Sequence, residues 1–179
     1  MRAGKNIILV GFMGTGKSTV GRLLAKKLQK EFYDTDAEVE RVTGLSVKEI
    51  FRRYGEVRFR SEEKAALKRL LQGDNRVIAT GGGIVLDPEN RELMQARGVV
   101  VCLTATPEEI YRRVKNNDDR PLLQGVDAWE KLLRLWEERR PIYSLFPLQV
   151  KTDGKSREEV VAEIIALLSS QEKEEELEG

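Results

Sequence analysis

The residues best suited to chemistry in this chain form one run, Gly11-Phe12-Met13-Gly14-Thr15-Gly16-Lys17-Ser18, set between the apolar stretch Ile7-Ile8-Leu9-Val10 and a helical-looking stretch from Thr19 to Lys30. The pattern G-x-x-x-x-G-K-[ST] requires glycine at Gly11 and Gly16 because the backbone wraps closely around a phosphate, in dihedrals that a Cβ disfavours. Backbone N–H groups from Gly14, Thr15, Gly16, Lys17, Ser18 and Thr19 then point inward, and the following helix brings its positive end to the same place. Lys17 is placed to reach the β- and γ-phosphates, and the Ser18 hydroxyl to ligate magnesium. A nucleoside triphosphate is the expected ligand.

Asp34-Thr35-Asp36 closes a short run from Glu31 to Thr35 that reads as a second strand. In an extended chain the side-chain period is two, so both carboxylates project to one side, toward the crevice at the carboxyl ends of the strands. Two acids beside a triphosphate suit a division of labour. Asp34 holds magnesium or its water, and Asp36, further out, orients an acceptor hydroxyl; whether it also takes the proton stays open. The competing reading is a solvated turn in which Asp36 caps the helix that begins near Ala37. Thr80-Gly81-Gly82-Gly83 follows Val77-Ile78-Ala79, a strand end opening into a loop where a substrate can approach bare backbone; a plain flexible turn is the alternative. Arg60, Arg120 and Arg139 stand in Arg58-Phe59-Arg60-Ser61-Glu62, Asp119-Arg120-Pro121-Leu122-Leu123 and Glu138-Arg139-Arg140-Pro141-Ile142-Tyr143. Singly, each reads as one more surface charge among 31 Lys and Arg residues.

The elements that must position these residues follow from the apolar runs: Asn6 to Val10, Glu31 to Thr35, Arg76 to Thr80, Val99 to Leu103 and Leu148 to Thr152, with amphipathic stretches between. Strands alternating with helices imply an α/β fold with a parallel sheet covered on both faces. Ser46-Val47-Lys48-Glu49, Thr106-Pro107-Glu108-Glu109 and Ser156-Arg157-Glu158-Glu159 are capping boxes, and Asp87-Pro88 is a cap followed by proline. Trp129 and Trp136, seven apart, lie on a helix expected from about Asp127 to Ser144 and face the core. Two segments break the alternation: 36–60 inserts short helical pieces before the long helix that leads to Val77, and 115–126 is polar and punctuated by proline and glycine. The charged tail, 171–179, reads as solvated and frayed.

At 179 residues the chain fits a single domain, and 31 basic against 30 acidic residues leave no global field for nucleic acid or an anionic membrane. It contains no histidine, which removes imidazole acid/base chemistry, histidine-ligated zinc and the Ser-His-Asp triad together. The one cysteine, Cys102, lies in an apolar strand and reads as a core residue. No apolar run approaches the ~18 residues of a membrane span, so a cytoplasmic protein is expected. A monomer is expected too, since no heptad stripe asks for a partner.

Taken together, G-F-M-G-T-G-K-S, D-T-D at 34–36, F-R at 59–60, G-G-G at 81–83, R-P-L-L at 120–123 and R-x-P-[IL]-Y at 139–143 resemble the shikimate kinases, within the nucleoside-monophosphate-kinase-like group of P-loop proteins. The likeness runs from Asn6 to about Leu168. It implies a three-layer α/β/α sandwich on a five-stranded parallel sheet of order 2-3-1-4-5, with a core of about 1–35, 61–114 and 127–170, a shikimate-binding insert at 36–60 and a lid at 115–126. It implies transfer of the γ-phosphoryl of ATP, with Mg2+, to the 3-hydroxyl of shikimate, on the way to chorismate and the aromatic amino acids. Residue by residue, Asp36 resembles the acid on the acceptor hydroxyls, Arg60 and Arg139 the pair gripping the substrate carboxylate, and Gly82 and Gly83 the backbone beside the ring. Arg120 resembles the lid arginine over the phosphates, Arg113 the residue stacked near adenine, and Asp34 the acid that reaches magnesium through water. Residues 152–156 should form the far wall of the adenine pocket, with no individual role assigned.

The physics runs parallel. A guanidinium fork matches a carboxylate bidentately, so two arginines around one acid group confer orientation as well as charge. Phosphoryl transfer asks mainly for alignment and positive charge, which Lys17, Arg120 and magnesium can supply without histidine. The rivals are a related small-molecule kinase, such as a gluconate or nucleotide kinase, and a sensor module that binds nucleotide and an acid without turnover. The carboxylate clamp separates the first, and ADP release the second.

Overall fold

Every residue of β1 (Asn6–Val10) is buried because the strand lies between two neighbours in the middle of a sheet. The computed structural model describes residues 4–115 and 127–178. Its remaining strands are β2 (Glu31–Asp34), β3 (Arg76–Ala79), β4 (Gly98–Thr104) and β5 (Gln149–Lys151), in the order β2-β3-β1-β4-β5 and all parallel. The sheet order agrees with the sequence expectation. Register sets Ile7 beside Val77 on one flank and beside Val99 on the other.

Alternation along β1 divides two cores. Ile8 and Val10 pack with Leu67, Ile84, Met94, Leu132 and Phe146, whereas Ile7 and Leu9 pack with Leu24, Val160, Val161 and Ile164. The second core lies under α1 (Lys17–Leu28) and α7 (Arg157–Glu178). The first is covered by the end of α3 (Val47–Leu70), a 3-10 turn (Ile84–Leu86), α4 (Pro88–Arg97), α5 (Pro107–Val114) and α6 (Ala128–Tyr143). These layers make the α/β/α sandwich. Complete burial of a side chain such as Ile8 or Leu24 is worth roughly 1.5–3 kcal/mol each, and Cys102 is one of these core groups.

Between β2 and α3 stands α2 (Thr35–Thr43), which shares with α3 a small separate core of Val39, Ile50, Phe59 and Ala66. Within α3, Gly55 leaves helical geometry at φ 81°, ψ 178°, so a short helix and a long one meet at a kink. A residue with a Cβ rarely adopts that φ.

The cap signals are realised with one exception. Ser46 and Glu49 close a complete box, Asp87 accepts from the Glu89 N–H, and Ser156 exchanges bonds with Glu159. Thr106 caps the Glu109 N–H, but its own N–H and hydroxyl go to Asp153, while Glu109 turns to Arg112 and Arg113. The return half of that box is absent because two guanidiniums outcompete one amide for the carboxylate. The acidic run after Gln171 continues α7 as far as Glu178 rather than fraying at its start. Among the described residues, no helix is long and apolar enough to cross a membrane.

Candidate active site

Three of the five strands end in the residues singled out above: β1 in the glycine-rich loop, β2 in Asp34 and β3 in Thr80-Gly81-Gly82-Gly83. Gly11 has φ +145°, and a Cβ there would lie 2.3 Å from the Leu103 carbonyl oxygen. Gly16, at φ 92°, is the N-cap of α1 and supplies no side-chain cap, and the first turn of α1 contains no acid. The leading N–H groups of that helix are therefore left for an anion. The loop is braced by Thr15, whose hydroxyl donates to the Phe12 carbonyl at 2.8 Å. Lys17 Nζ donates to the carbonyls of Gly11, at 2.7 Å, and Phe12, at 2.9 Å.

Asp34 and Asp36 line one cavity of about 310 Å³ together with Lys17, Ser18 and Gly82. The route to that arrangement differs from the extended-chain expectation. Thr35 already begins α2, and Asp34 is its N-cap, accepting from the N–H groups of Asp36 at 2.9 Å and Ala37 at 3.3 Å. Helix formation at Thr35 replaces strand alternation because this carboxylate satisfies two orphan amides. Asp34, not Asp36, is thus the capping acid. Its second oxygen accepts from the Ser18 hydroxyl at 2.6 Å.

The glycine loop is where the distant parts converge. A methyl group at Gly81 would lie 2.5 Å from Glu63 Oε1 and 2.9 Å from Asp36 Oδ1; one at Gly82 would lie 3.2 Å from the Met13 nitrogen; one at Gly83 would lie 2.3 Å from Arg60 Nη2. None of the three has positive φ, so their glycine character provides space here and not unusual dihedrals. Gly81 N–H donates to Thr35 Oγ1 at 2.9 Å, and the Tyr143 hydroxyl donates to the Gly82 carbonyl. Tyr143 follows Arg139 by one helical turn of α6, on the stripe that also carries Leu132 and Trp136. Trp136 and Trp129 both pack against the core, as their spacing suggests.

Arg139 is only 6% exposed and forms no salt bridge among the described residues. Arg60 donates to Glu63 at 2.8 Å and to Glu56 at 3.3 Å. Glu63, 1% exposed, is the residue that sequence reading missed. Burial pushes its carboxyl up from 4.5 to about 7, against the pull of Arg60 and Arg139 and helped by the charge on Asp36. Both guanidiniums therefore act on one buried acid. A signal for Glu63 did exist: it falls on the apolar stripe Phe59, Ala66, Leu67 and Leu70 of α3, three residues after Arg60.

Arg113 spans the nucleotide side. Its guanidinium donates to Glu109, to the Gly14 carbonyl at 3.1 Å and to Thr152 Oγ1 at 3.1 Å. It lines both the cavity beside Ser18 and a second of about 440 Å³ walled by Thr19, Thr152, Gly154 and Lys155. Arg120 and nearly all of the 115–126 segment lie outside the described residues.

A family model described as shikimate kinase matches residues 13–169. A shikimate kinase of Pelotomaculum thermopropionicum is 51% identical over 164 residues, covering 92% of this chain and 95% of the relative. One of Geobacter metallireducens is 47% identical, covering 92% of each. Among solved structures, a shikimate kinase from Acinetobacter baumannii in complex with shikimate superposes with a TM-score of 0.90 at 39% identity, over 93% of this chain and 94% of that one. A gluconokinase from Sinorhizobium meliloti reaches a TM-score of 0.62 at 17% identity over 100% of this chain and 99% of that one, a likeness of fold alone. The chain belongs to the shikimate kinase family, and it is a kinase with an alcohol acceptor.

Proposed function

We propose that this site transfers the γ-phosphoryl of ATP to the 3-hydroxyl of shikimate, and that the residues brought together at the glycine loop divide the work. The observation that carries the reading is Arg139, a buried guanidinium without a salt bridge among the described residues, in the same electrostatic neighbourhood as Arg60 and Glu63. Its hydrogen bond with Tyr143 is to a neutral hydroxyl, so the buried cation still calls for an anionic partner, and a small acceptor's carboxylate meets that need. With the carboxylate held by Arg139 and Arg60, the ring lies along Gly82 and Gly83, and its hydroxyl end meets Asp36.

Asp36 orients the hydroxyl along the line of attack and receives its proton. The acceptor oxygen forms a bond to the γ-phosphorus as the bond from that phosphorus to the β–γ bridging oxygen breaks, and ADP leaves with that electron pair. The cradle from Gly14 to Thr19 holds the phosphates. Lys17 leaves the Gly11 and Phe12 carbonyls for the phosphate oxygens, Arg113 borders adenine, and Arg120 closes over the γ-phosphate. Water has to be excluded, since it would otherwise compete as acceptor.

Magnesium fits the remaining pair. Ser18 Oγ and Asp34 Oδ2 are hard oxygen donors 2.6 Å apart, and an ion that keeps several of its waters needs few protein ligands. Bound there, it would neutralise charge on the β- and γ-oxygens.

The reading includes a monomer in the cytoplasm, with 36–60 as the acceptor-binding insert. Its support is the dispersal of exposed large apolar side chains over α2, α3, the 3-10 turn and α7, with Leu145 after α6, and a lone buried thiol. ADP release, measured with shikimate, gluconate or a nucleoside monophosphate as acceptor, tests the assignment. Release is expected with shikimate alone, and turnover of gluconate or the nucleotide in its place would overturn the clamp.

A further inference from the structure

One cavity belongs to neither substrate. It lies between the carboxyl end of β4, the start of α5 and the last turns of α6, with a volume of about 370 Å³, and none of Lys17, Asp34, Asp36, Arg60 or Arg139 lines it. That volume falls in the range of small-molecule sites.

Its walls divide by chemistry. Phe12, Leu103 and Pro107 supply apolar surface, and Trp136 and Tyr143 supply rings. Among the described residues of the lining, the charged groups are Arg140 and Lys151. Among the described residues Arg140 shares no carboxylate, and Lys151 faces the charge of Asp153, which is itself bonded to Thr106, whereas Arg112 and Arg113, on the adjoining helix, share Glu109. The Arg140 guanidinium instead sits over the Trp136 ring, 5.2 Å from its centroid. A cation resting on an aromatic face keeps its in-plane N–H donors available to an anion.

We propose that this cavity is a second ligand site, taking a small organic anion built on a planar ring, with the ring against Trp136 and Tyr143 and the charge between Arg140 and Lys151. A simple inorganic anion would leave the apolar wall unused, and a neutral ring would leave the in-plane donors of Arg140 unused. The cavity also touches the supports of both substrate ends. Thr15 lines it and the nucleotide-side cavity, and Tyr143, in its wall, holds the Gly82 carbonyl.

The test is titration of the whole protein, saturated with shikimate and ADP so that the arginine clamp is filled, with 1-naphthoate, its neutral amide and inorganic phosphate in separate arms, followed by calorimetry. Saturable 1:1 binding of the carboxylate is expected, with the amide and phosphate at least ~10-fold weaker, the loss of one charge-assisted contact. The double variant Arg140→Gln/Lys151→Gln should weaken 1-naphthoate by ~10-fold or more, while its turnover and melting temperature stay at wild-type values, so that misfolding is separated from loss of the site. Binding that vanishes once shikimate is present would assign the anion to the clamp and overturn the proposal. So would equal binding of acid and amide, or undiminished binding to a folded double variant.

Discussion

The nucleotide end and the acceptor end of this site are built at different scales of the chain. The cradle is a run of consecutive residues whose ligating groups are mostly backbone amides, positioned by glycine dihedrals and the start of α1. In the proposed reading the acceptor end is assembled from α2, α3, the loop after β3 and α6, and its groups are side chains: Asp36, Arg60, Glu63, Arg139 and Tyr143. Backbone donors come with any sequence that reaches the right geometry, so local order suffices at the first end. Guanidinium and carboxylate groups converge only after the sheet and both helical layers have closed.

That contrast can be broken from either side. The largest effect is expected at Lys17, the cradle's one charged side chain: Lys17→Ala should lower turnover by ~10³-fold, at the upper end for one charge-stabilising group, in an ADP-release assay. A loss under tenfold would mean that the backbone carries the phosphates alone. Asp36→Asn should follow, with turnover down by ~10²-fold or more and ATP affinity, read by calorimetry, unchanged. Weakened ATP binding would place Asp36 at the wrong end of the comparison.

Arg139→Lys retains charge but not the fork. It should raise the shikimate KM by ~10–100-fold, the worth of a charged hydrogen bond, and leave the ATP KM in place; a parallel rise in both would merge the two ends into one. Tyr143→Phe removes the hydroxyl that donates to the Gly82 carbonyl and accepts from the Arg139 guanidinium, and a ~5-fold rise in shikimate KM corresponds to a net hydrogen-bond contribution of ~1 kcal/mol. An unmoved KM would show that the loop positions itself.

A further effect, on stability and not on turnover, concerns Glu63. The folded protein keeps its proton to about pH 7, whereas the unfolded chain releases it near 4.5. Folding takes up a proton between those values, so this group's contribution to stability falls as pH rises through that window. Relative to Glu63→Gln, the wild type should lose urea resistance from about pH 4.5 to 7 and stay at a constant offset outside it. A flat difference across the window would place Glu63 in a wetter setting than its 1% exposure describes.

The legibility of the chain followed the same division. Ile7 to Val10 and the glycines after them defined strand, turn and helix from neighbours alone, and Ser46, Asp87 and Ser156 capped their helices as their local patterns required. Asp34 was harder, since strand alternation and helix capping compete at the same residue, and the tertiary setting favours the cap. Thr106 was misread in part because Asp153, far along the chain, supplies the acceptor that a local box would have taken from Glu109. Glu63 carried a stripe position as its signal, but its altered proton affinity depends on a desolvation no neighbour in sequence imposes.

By itself, the sequence determined the phosphate cradle, the sheet's alternation and most helix ends, because each depends on dihedral preference or on partners within about four residues. Only the tertiary structure decided that Arg60 and Arg139 act on one buried carboxylate, that the glycine loop is pressed between Asp36, the cradle and Arg60, and that Tyr143 holds it. Burial and charge proximity are properties of the closed fold, and they arise between residues whose separation along the chain carries no trace of their distance in space.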